Sequence, residues 1–232
     1  MVYDDLASED ILALAPPEAE RVYMGKRGGG GDASAPQAAI DARLVALALA
    51  GRRVVRLKGG CPSVFGRLSS EARALAAAGI AFELVPGVSS ALAAPLLAGF
   101  PLTDAALGRS FAVATAHDLG ALDFRALAGV DTAVFLMGAR SLGAIADAMV
   151  AAGRTAATPV AVVRWAGTPQ QRVWVGSLGS IAADTAGEEL SPGAPCFCCY
   201  AAQHVALTQC MRSGGGCGRG GETARRVQSG RT

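Results

Sequence analysis

Short apolar stretches alternate with helix-like stretches along most of this chain. In the first third, "RVYM" (21–24), "VVRL" (54–57) and "FELV" (82–85) have the composition of short buried strands. The stretches "PQAAIDARLVALALAG" and "SSEARALAAAG" lie between them and end at glycine, as helices do, and "SALAAPLLAG" predicts a further short helix. Strand–helix–strand order at this spacing predicts an α/β fold with a largely parallel sheet.

A second series of the same kind follows "FPLTDAALGRS". The stretches 111–116, 132–138, 159–163 and 172–178 predict strands. "SLGAIADAMVAAG" predicts a helix with Ser141 as its cap and Gly153 as its end. We therefore expect two α/β lobes, 1–106 and 107–192, that share a ligand cleft at the carboxyl ends of their strands.

The end of the chain loses this pattern. Residues 193–232 are rich in cysteine, glycine and arginine without sustained periodicity, which predicts a disordered tail. Five of the six cysteines lie there, but their spacing matches no paired C-x₂-C framework, so we expect no metal site. An arginine-rich tail also leaves open an RNA-associated role, although a net charge of only +2 makes a nucleic-acid partner unlikely.

The composition narrows the class of protein. Hydrophobic residues make up 51% of the chain and charged residues 17%, which argues against general disorder. The longest apolar runs are too short for a transmembrane helix, and "MVYDDLASED" is acidic where a secretory signal is basic, so no membrane association is expected. A single cysteine in the body of the chain, Cys61, favours a reducing compartment.

Two glycine-containing segments are candidates for ligand contact. In "RLKGGCPSVFGR" (56–67), Gly59 and Gly60 follow a predicted strand, where they either admit a ligand or form a plain turn. Cys61 is better explained as an unreactive thiol than as a nucleophile. In "VPGVSSALAA", Ser89 or Ser90 is expected to cap a helix, and the same hydroxyls can hold polar atoms of a ligand.

Several segments together resemble the tetrapyrrole methylase family, and in particular its uroporphyrinogen enzymes. "VYDD", "GKR", "RLKGGCPSVFGR", "VPGVSSALAA", "TAVFLMG" and "TPQQRVWVGSL" occur in the family's order and spacing, and the resemblance covers residues 2–181. It implies a two-lobed tetrapyrrole methylase fold, the class III fold of S-adenosylmethionine-dependent methyltransferases. In the family, a first strand and a glycine-rich loop precede the segment at which this chain begins. The first strand of the family's fold is therefore expected to be missing here.

The resemblance also implies roles for individual residues. Asp4 matches the family's proton acceptor and Lys26 its proton donor. Positions that match the contacts of S-adenosylmethionine are Gly59, Gly60, Cys61, Val64, Ser89, Ser90, Met137 and Ala166. The family has aspartate where this chain has Cys61.

The activity implied by the resemblance is methylation of two ring carbons of uroporphyrinogen III, which gives precorrin-2 on the routes to sirohaem and cobalamin. Arg27, Arg56, Arg67 and Lys26 suit a substrate with eight carboxylates. The resemblance further implies a small-molecule tetrapyrrole substrate, a homodimer and a cytoplasmic location, or the plastid stroma in a photosynthetic eukaryote. Two alternatives remain open, an inactive fragment with the methylase fold and a sibling enzyme that methylates a later corrin intermediate.

Overall fold

The computed structural model describes residues 1–25, 36–106 and 108–190, together with the backbone of 196–200. The strands are β1 (Val2–Tyr3), β2 (Val22–Tyr23), β3 (Phe111–Thr115), β4 (Thr132–Leu136), β5 (Pro159–Arg164), β6 (Arg172–Ser177) and β7 (Cys196–Tyr200). The helices are α1 (Glu9–Leu12), α2 (Gln37–Leu49), α3 (Leu68–Ala77), α4 (Ser90–Leu97), α5 (Phe124–Gly129), α6 (Leu142–Ala151) and α7 (Ile181–Asp184).

The first part of the chain is built around a small parallel sheet. β1 and β2 pair with Val2 opposite Val22 and Tyr3 opposite Tyr23. The stretch 54–57 runs parallel to β1 on its other side, because the Val2 amide donates to the Val55 carbonyl and the Leu57 amide donates to the Val2 carbonyl, both at 2.8 Å. It makes only an isolated bridge, opposite Val2, rather than the predicted strand. Helix α2 packs Ile40 and Leu44 against Val2, which is fully buried.

The prediction of a buried strand at 82–85 is wrong. Phe82, Leu84 and Val85 are 44%, 55% and 69% exposed, and the segment has no regular structure. Its residues have high strand propensity, but a strand also needs a neighbour to accept and donate its backbone hydrogen bonds. No described strand lies beside this segment.

The second part of the chain forms a five-stranded sheet in the order β3-β4-β7-β5-β6. Only β3 and β4 pair in parallel, whereas β7 is antiparallel to both of its neighbours and β6 is antiparallel to β5. The expectation of a largely parallel sheet is therefore wrong here. The link 165–171 between β5 and β6 is too short for the helical crossover that a parallel pair needs, so these strands form a hairpin.

Strand β7 corrects a second expectation. Residues 196–200 fall within the stretch that was predicted to be disordered, yet their backbone pairs with β4 on one side and β5 on the other. Aromatic and small apolar residues suit a strand with neighbours on both sides, and a run of only five such residues shows no periodicity. Residues 191–195 and 201–232 lie outside the described residues.

The helix predictions hold for α2, α3, α4 and α6, but the serine cap expected in "SSEARALAAAG" is wrong, because Arg67 occupies the cap position of α3 and makes no capping bond through its side chain. Ser89 caps α4, since its hydroxyl oxygen accepts a hydrogen bond from the Ala91 amide at 3.2 Å. Ser141 precedes α6 but makes no capping bond through its side chain. Helix α6 buries Ile145 and Met149 against the sheet, in one cluster with Phe135 and Val162.

Asp131 holds the segment that enters the second sheet. Its carboxylate accepts hydrogen bonds from the Arg109 and Ser110 amides, both at 2.9 Å, while the Thr132 hydroxyl donates to the Leu102 carbonyl. The division of the chain into lobes at residue 106 stays a prediction. Among the described residues, none of the helices has the length and apolar character needed to cross a bilayer.

Candidate functional site

The carboxyl ends of β4 and β5 lie at one edge of the sheet. Both strands are antiparallel to β7, so they run in the same direction, and Phe135 and Val162 both pair with the backbone of Phe197. The strands therefore end at about the same level. Met137 follows β4 directly, and Ala166 lies two residues beyond β5, so the sheet brings these two predicted cofactor contacts to the same edge.

The Gly59–Cys61 loop packs directly on the backbone around Gly87. A Cβ placed on Gly87 would overlap the Gly60 carbonyl oxygen and would lie 3.1 Å from the Gly60 carbonyl carbon and 3.4 Å from the Cys61 Cα. Only glycine permits so close an approach of two backbones. This contact joins the two segments that the sequence marks as candidates for ligand binding.

The loop after β1 closes against the same glycines. A Cβ on Gly59 would overlap the Leu6 Cβ and would lie 3.1 Å from the Leu6 Cδ1. Asp4 is in the same tight turn, because its Oδ1 accepts a hydrogen bond from the Leu6 amide at 3.2 Å. The predicted proton acceptor therefore lies beside the predicted cofactor loop, whereas Lys26 is outside the described residues.

Val64 and Ala166 come together on one apolar cluster. Both are partly buried against it, which links the loop of the first part of the chain to the end of β5. The buried members of the cluster are Ala91, Ala94, Phe100, Val134, Leu136, Ala161 and Val163.

Gln171 ties the loop beyond β5 to helix α4. Its Nε2 donates to the Leu97 carbonyl at 3.1 Å, and its Oε1 accepts from the Gly167 amide at 2.9 Å. The loop that carries Ala166 is therefore held against the first part of the chain.

Among the residues that the structure describes, four other than glycine have left-handed backbone conformations: two directly follow β4 and β5, and two lie in the loop that contains Val64. Their φ angles are 50° at Phe65, 55° at Arg67, 61° at Met137 and 52° at Trp165. A bulky residue with positive φ is strained, and such strain concentrates at functional sites. Met137 was among the predicted contacts. Arg67 was expected only as a cation for the substrate, and Phe65 and Trp165 were missed, although the "VFGR" segment that contains Phe65 had been marked.

The hydroxyls of Ser89 and Ser90 stand at the start of α4, next to the Gly87 contact. Ser89 is buried and is occupied as the helix cap, while Ser90 is the first residue of the helix and is half-buried. The site therefore combines exposed backbone, hydroxyl groups and the half-exposed apolar side chains of Met137 and Trp165. Such a surface suits a ligand with polar and apolar parts, such as an adenosyl group joined to an amino acid.

Cys61 has the environment of an activated thiol. Its Sγ lies 3.0 Å from the Ser63 hydroxyl oxygen. Hydrogen bonds from that hydroxyl, first, and from the backbone of Gly87 and Ser63 lower the pKa of the Cys61 thiol from its ordinary value of 9.0, because they favour the thiolate. The lowered pKa argues against the expectation of an inert thiol, and the reactivity of Cys61 toward an added reagent decides between the two.

Iodoacetamide is expected to modify Cys61 faster, below pH 9, than it modifies the same residue in urea-unfolded protein. A lowered pKa means that the thiolate is populated at lower pH in the folded chain, and the thiolate is the reacting species. Mass spectrometry of the peptide that carries Cys61 measures its rate apart from the other cysteines. Ser63→Ala should shift the rate profile back toward the unfolded one, and identical profiles for folded and unfolded protein would contradict the assignment.

Comparisons with known proteins identify the family to which the chain is similar. The model of the family of tetrapyrrole (corrin/porphyrin) methylases matches residues 1–182. A protein of Synechococcus elongatus called uroporphyrinogen-III C-methyltransferase is 46% identical over 192 residues, which are 83% of this chain and 78% of the relative. A protein of the same description from Bacillus subtilis is 42% identical over 78% of this chain, but the match spans only 38% of that relative's length.

A solved structure gives the same result. The uroporphyrin-III C-methyltransferase of Thermus thermophilus, in complex with S-adenosylhomocysteine, superimposes with a TM-score of 0.71 at 37% identity. The match covers 85% of this chain and 83% of that one. Sequence and fold therefore point to the same group of proteins.

Proposed function

The chain belongs to the tetrapyrrole (corrin/porphyrin) methylase family, and on this basis we propose that it methylates uroporphyrinogen III at two ring carbons to give precorrin-2. S-adenosylmethionine is the methyl donor and leaves as S-adenosylhomocysteine. The observation that carries the proposal is the 46% identity to the Synechococcus protein over most of both chains. The same activity is required for sirohaem and cobalamin synthesis.

The loops around the Gly60–Gly87 contact are the proposed cofactor site. S-adenosylmethionine, when bound, supplies a methyl group on a positively charged sulfur. Gly59, Gly60 and Cys61 would hold it from one side through exposed backbone, and Met137 and Ala166 would face it from the strand ends. In-line displacement requires alignment above all, and the strained backbone at Met137 and Trp165 supports a role in holding that geometry.

Asp4 is the proposed general base. A ring carbon that accepts a methyl group adds positive charge to the tetrapyrrole, so a proton must leave. Each Asp4 carboxylate oxygen has one described partner, the Leu6 amide for Oδ1 and the Arg56 guanidinium for Oδ2. A carboxylate oxygen has two lone pairs, so either can still accept that proton.

Arg67 is the proposed cation for the substrate's carboxylates. Arg56 was expected to share this task, but its guanidinium is occupied by Asp4 and Glu71. Arg67 is exposed at the end of the "VFGR" loop, with its backbone held in a left-handed conformation. A guanidinium there can bind a carboxylate in bidentate fashion.

A homodimer and a cytoplasmic location belong to the same proposal. Support for the dimer comes from α4, whose outer face leaves Leu92, Leu96 and Leu97 more than half exposed, and a second copy would cover them. Light scattering tests the dimer, since the mass of a single chain would contradict it. The location follows the bacterial relatives, and cell fractionation tests it.

Incubation with S-adenosylmethionine and uroporphyrinogen III tests the proposed function. We expect two equivalents of S-adenosylhomocysteine and a product heavier by two methyl groups, measured by mass spectrometry under anaerobic conditions. Methylation of a later corrin intermediate, without turnover of uroporphyrinogen III, would favour the sibling enzyme. No binding of S-adenosylhomocysteine by calorimetry would favour an inactive fragment.

A further inference from the structure

Four charged side chains form a continuous chain of ion pairs between the end of β1, the 54–58 segment and α3. Arg56 Nη2 lies 2.9 Å from Asp4 Oδ2, Arg56 Nε lies 3.2 Å from Glu71 Oε1, and Lys58 Nζ lies 2.8 Å from Glu71 Oε1 and 3.0 Å from Oε2. All four side chains are largely buried. The exposed fraction is 4% for Glu71, 9% for Lys58, 13% for Arg56 and 24% for Asp4. We call these four residues the Asp4–Glu71 network.

Glu71 is the member that holds the network together. It is the most buried of the four side chains, and it lies in the first turn of α3. Its carboxylate binds both cations at once. Helix α3 fixes the Glu71 backbone. The two cations that Glu71 binds are therefore held at fixed positions beside the helix.

Arg56 transmits this constraint to Asp4. Each of its three guanidinium nitrogens has a different partner, with Nε bound to Glu71, Nη2 bound to Asp4 and Nη1 donating to the Leu57 carbonyl at 2.6 Å. A planar group held at three points cannot rotate without breaking one of these bonds. The orientation of the Asp4 carboxylate is therefore set by Arg56, whose orientation is set in part by Glu71.

We propose that Glu71 is a positioning residue for methyl transfer, acting on Asp4 through Arg56. This inference rests on the proposed role of Asp4 as the base. The network contains two carboxylates and two cations, so its charges balance, and Arg56 and Lys58 serve the protein's own acids rather than the substrate. Because Glu71 is buried, it is expected to act through Arg56 rather than by contacting substrate or cofactor.

The test compares Glu71→Gln with Lys58→Met/Glu71→Gln, in which the charges of the network balance again. In Glu71→Gln we expect kcat to fall about 10-fold or more, with KM for the tetrapyrrole and the Kd of S-adenosylhomocysteine within about twofold of wild type, because misplacement of a reacting group slows the chemical step. The double variant should stay slow, since it does not restore the carboxylate that holds Arg56. Glu18→Gln, which removes an exposed carboxylate, serves as the control.

Two results would overturn the inference. One is a double variant with wild-type kcat, which would mean that Glu71 acts only through net charge. The other is a crystal structure of Glu71→Gln in which Arg56 Nη2 still lies 2.9 Å from Asp4 Oδ2. An unchanged distance would show that Glu71 does not position Asp4, even if the variant had lost activity. A wild-type chain without methyl transfer would contradict the proposed function instead, so the two failures are distinct.

Discussion

Asp4→Asn is expected to slow methyl transfer by about 10²- to 10⁴-fold, the usual contribution of a general base. Asparagine has nearly the same shape as aspartate but cannot accept the proton that the methylated ring must release. S-adenosylhomocysteine should bind as it does to wild type, because the side-chain oxygen of asparagine can still accept the Leu6 amide hydrogen bond that holds the turn packed on Gly59. Single-turnover rates with enzyme in excess, combined with calorimetry, separate these two effects.

Asp5→Asn is the matched control for this experiment. Asp5 is the next residue in the chain, and its carboxylate accepts a hydrogen bond from the Tyr23 hydroxyl. Asp5→Asn removes a neighbouring negative charge but leaves the Asp4–Arg56 pair in place, so turnover should stay near the wild-type value. If both variants lost activity to the same degree, or if Asp4→Asn stayed within about threefold of wild type, Asp4 would not be the base.

Among the substitutions considered in this protein, Gly87→Ala is expected to cause the largest loss of affinity for S-adenosylhomocysteine. The new Cβ overlaps the Gly60 carbonyl oxygen, which is backbone and cannot turn aside as a side chain can. The loop that carries Gly60 and Cys61 must therefore move. Overpacking of this kind costs about 1–3 kcal/mol, which corresponds to about 5- to 150-fold weaker binding of S-adenosylhomocysteine if the whole cost falls on the site.

Gly129→Ala provides the comparison for Gly87→Ala. Gly129 ends helix α5, has no atom within 4 Å of an added Cβ and does not have positive φ, so alanine should be accepted there. Calorimetric titration of both variants measures the affinities, and thermal unfolding shows whether each one folds. Equal affinity in a folded Gly87→Ala protein would mean that the close contact of the two loops has no part in binding.

The helices of this fold could be predicted from the sequence because the information for them is local. Apolar positions spaced for one face, with glycine after the last turn, identified α2, α3 and α6. The strand at 82–85 failed because strand formation depends on a partner elsewhere in the chain. The same dependence explains why β7 was not predicted, because its two neighbours, β4 and β5, begin at residues 132 and 159.

The parts of the candidate site that lie within one short motif could be predicted from the sequence. The contacts between residues far apart in the sequence could not. The family resemblance pointed to Gly59, Gly60 and Met137 from short segments alone. The pairing of Asp4 with Arg56 joins residues 52 positions apart, and nothing in "VYDD" or "RLKGG" predicts it. Backbone strain at Phe65 and Trp165 is likewise a property of the assembled loops, since neither residue type favours positive φ.

The position of β7 has a consequence for how this chain folds as it is synthesised. The β3–β4 pair and the β5–β6 hairpin are made first, but they share no ladder until residues 196–200 pair with both. Until then β4 and β5 are open edges, which are the usual starting points for association between chains. Closure by β7, the last of the described strands, raises the contact order of the sheet, so we expect slower folding and longer exposure of these two edges during translation.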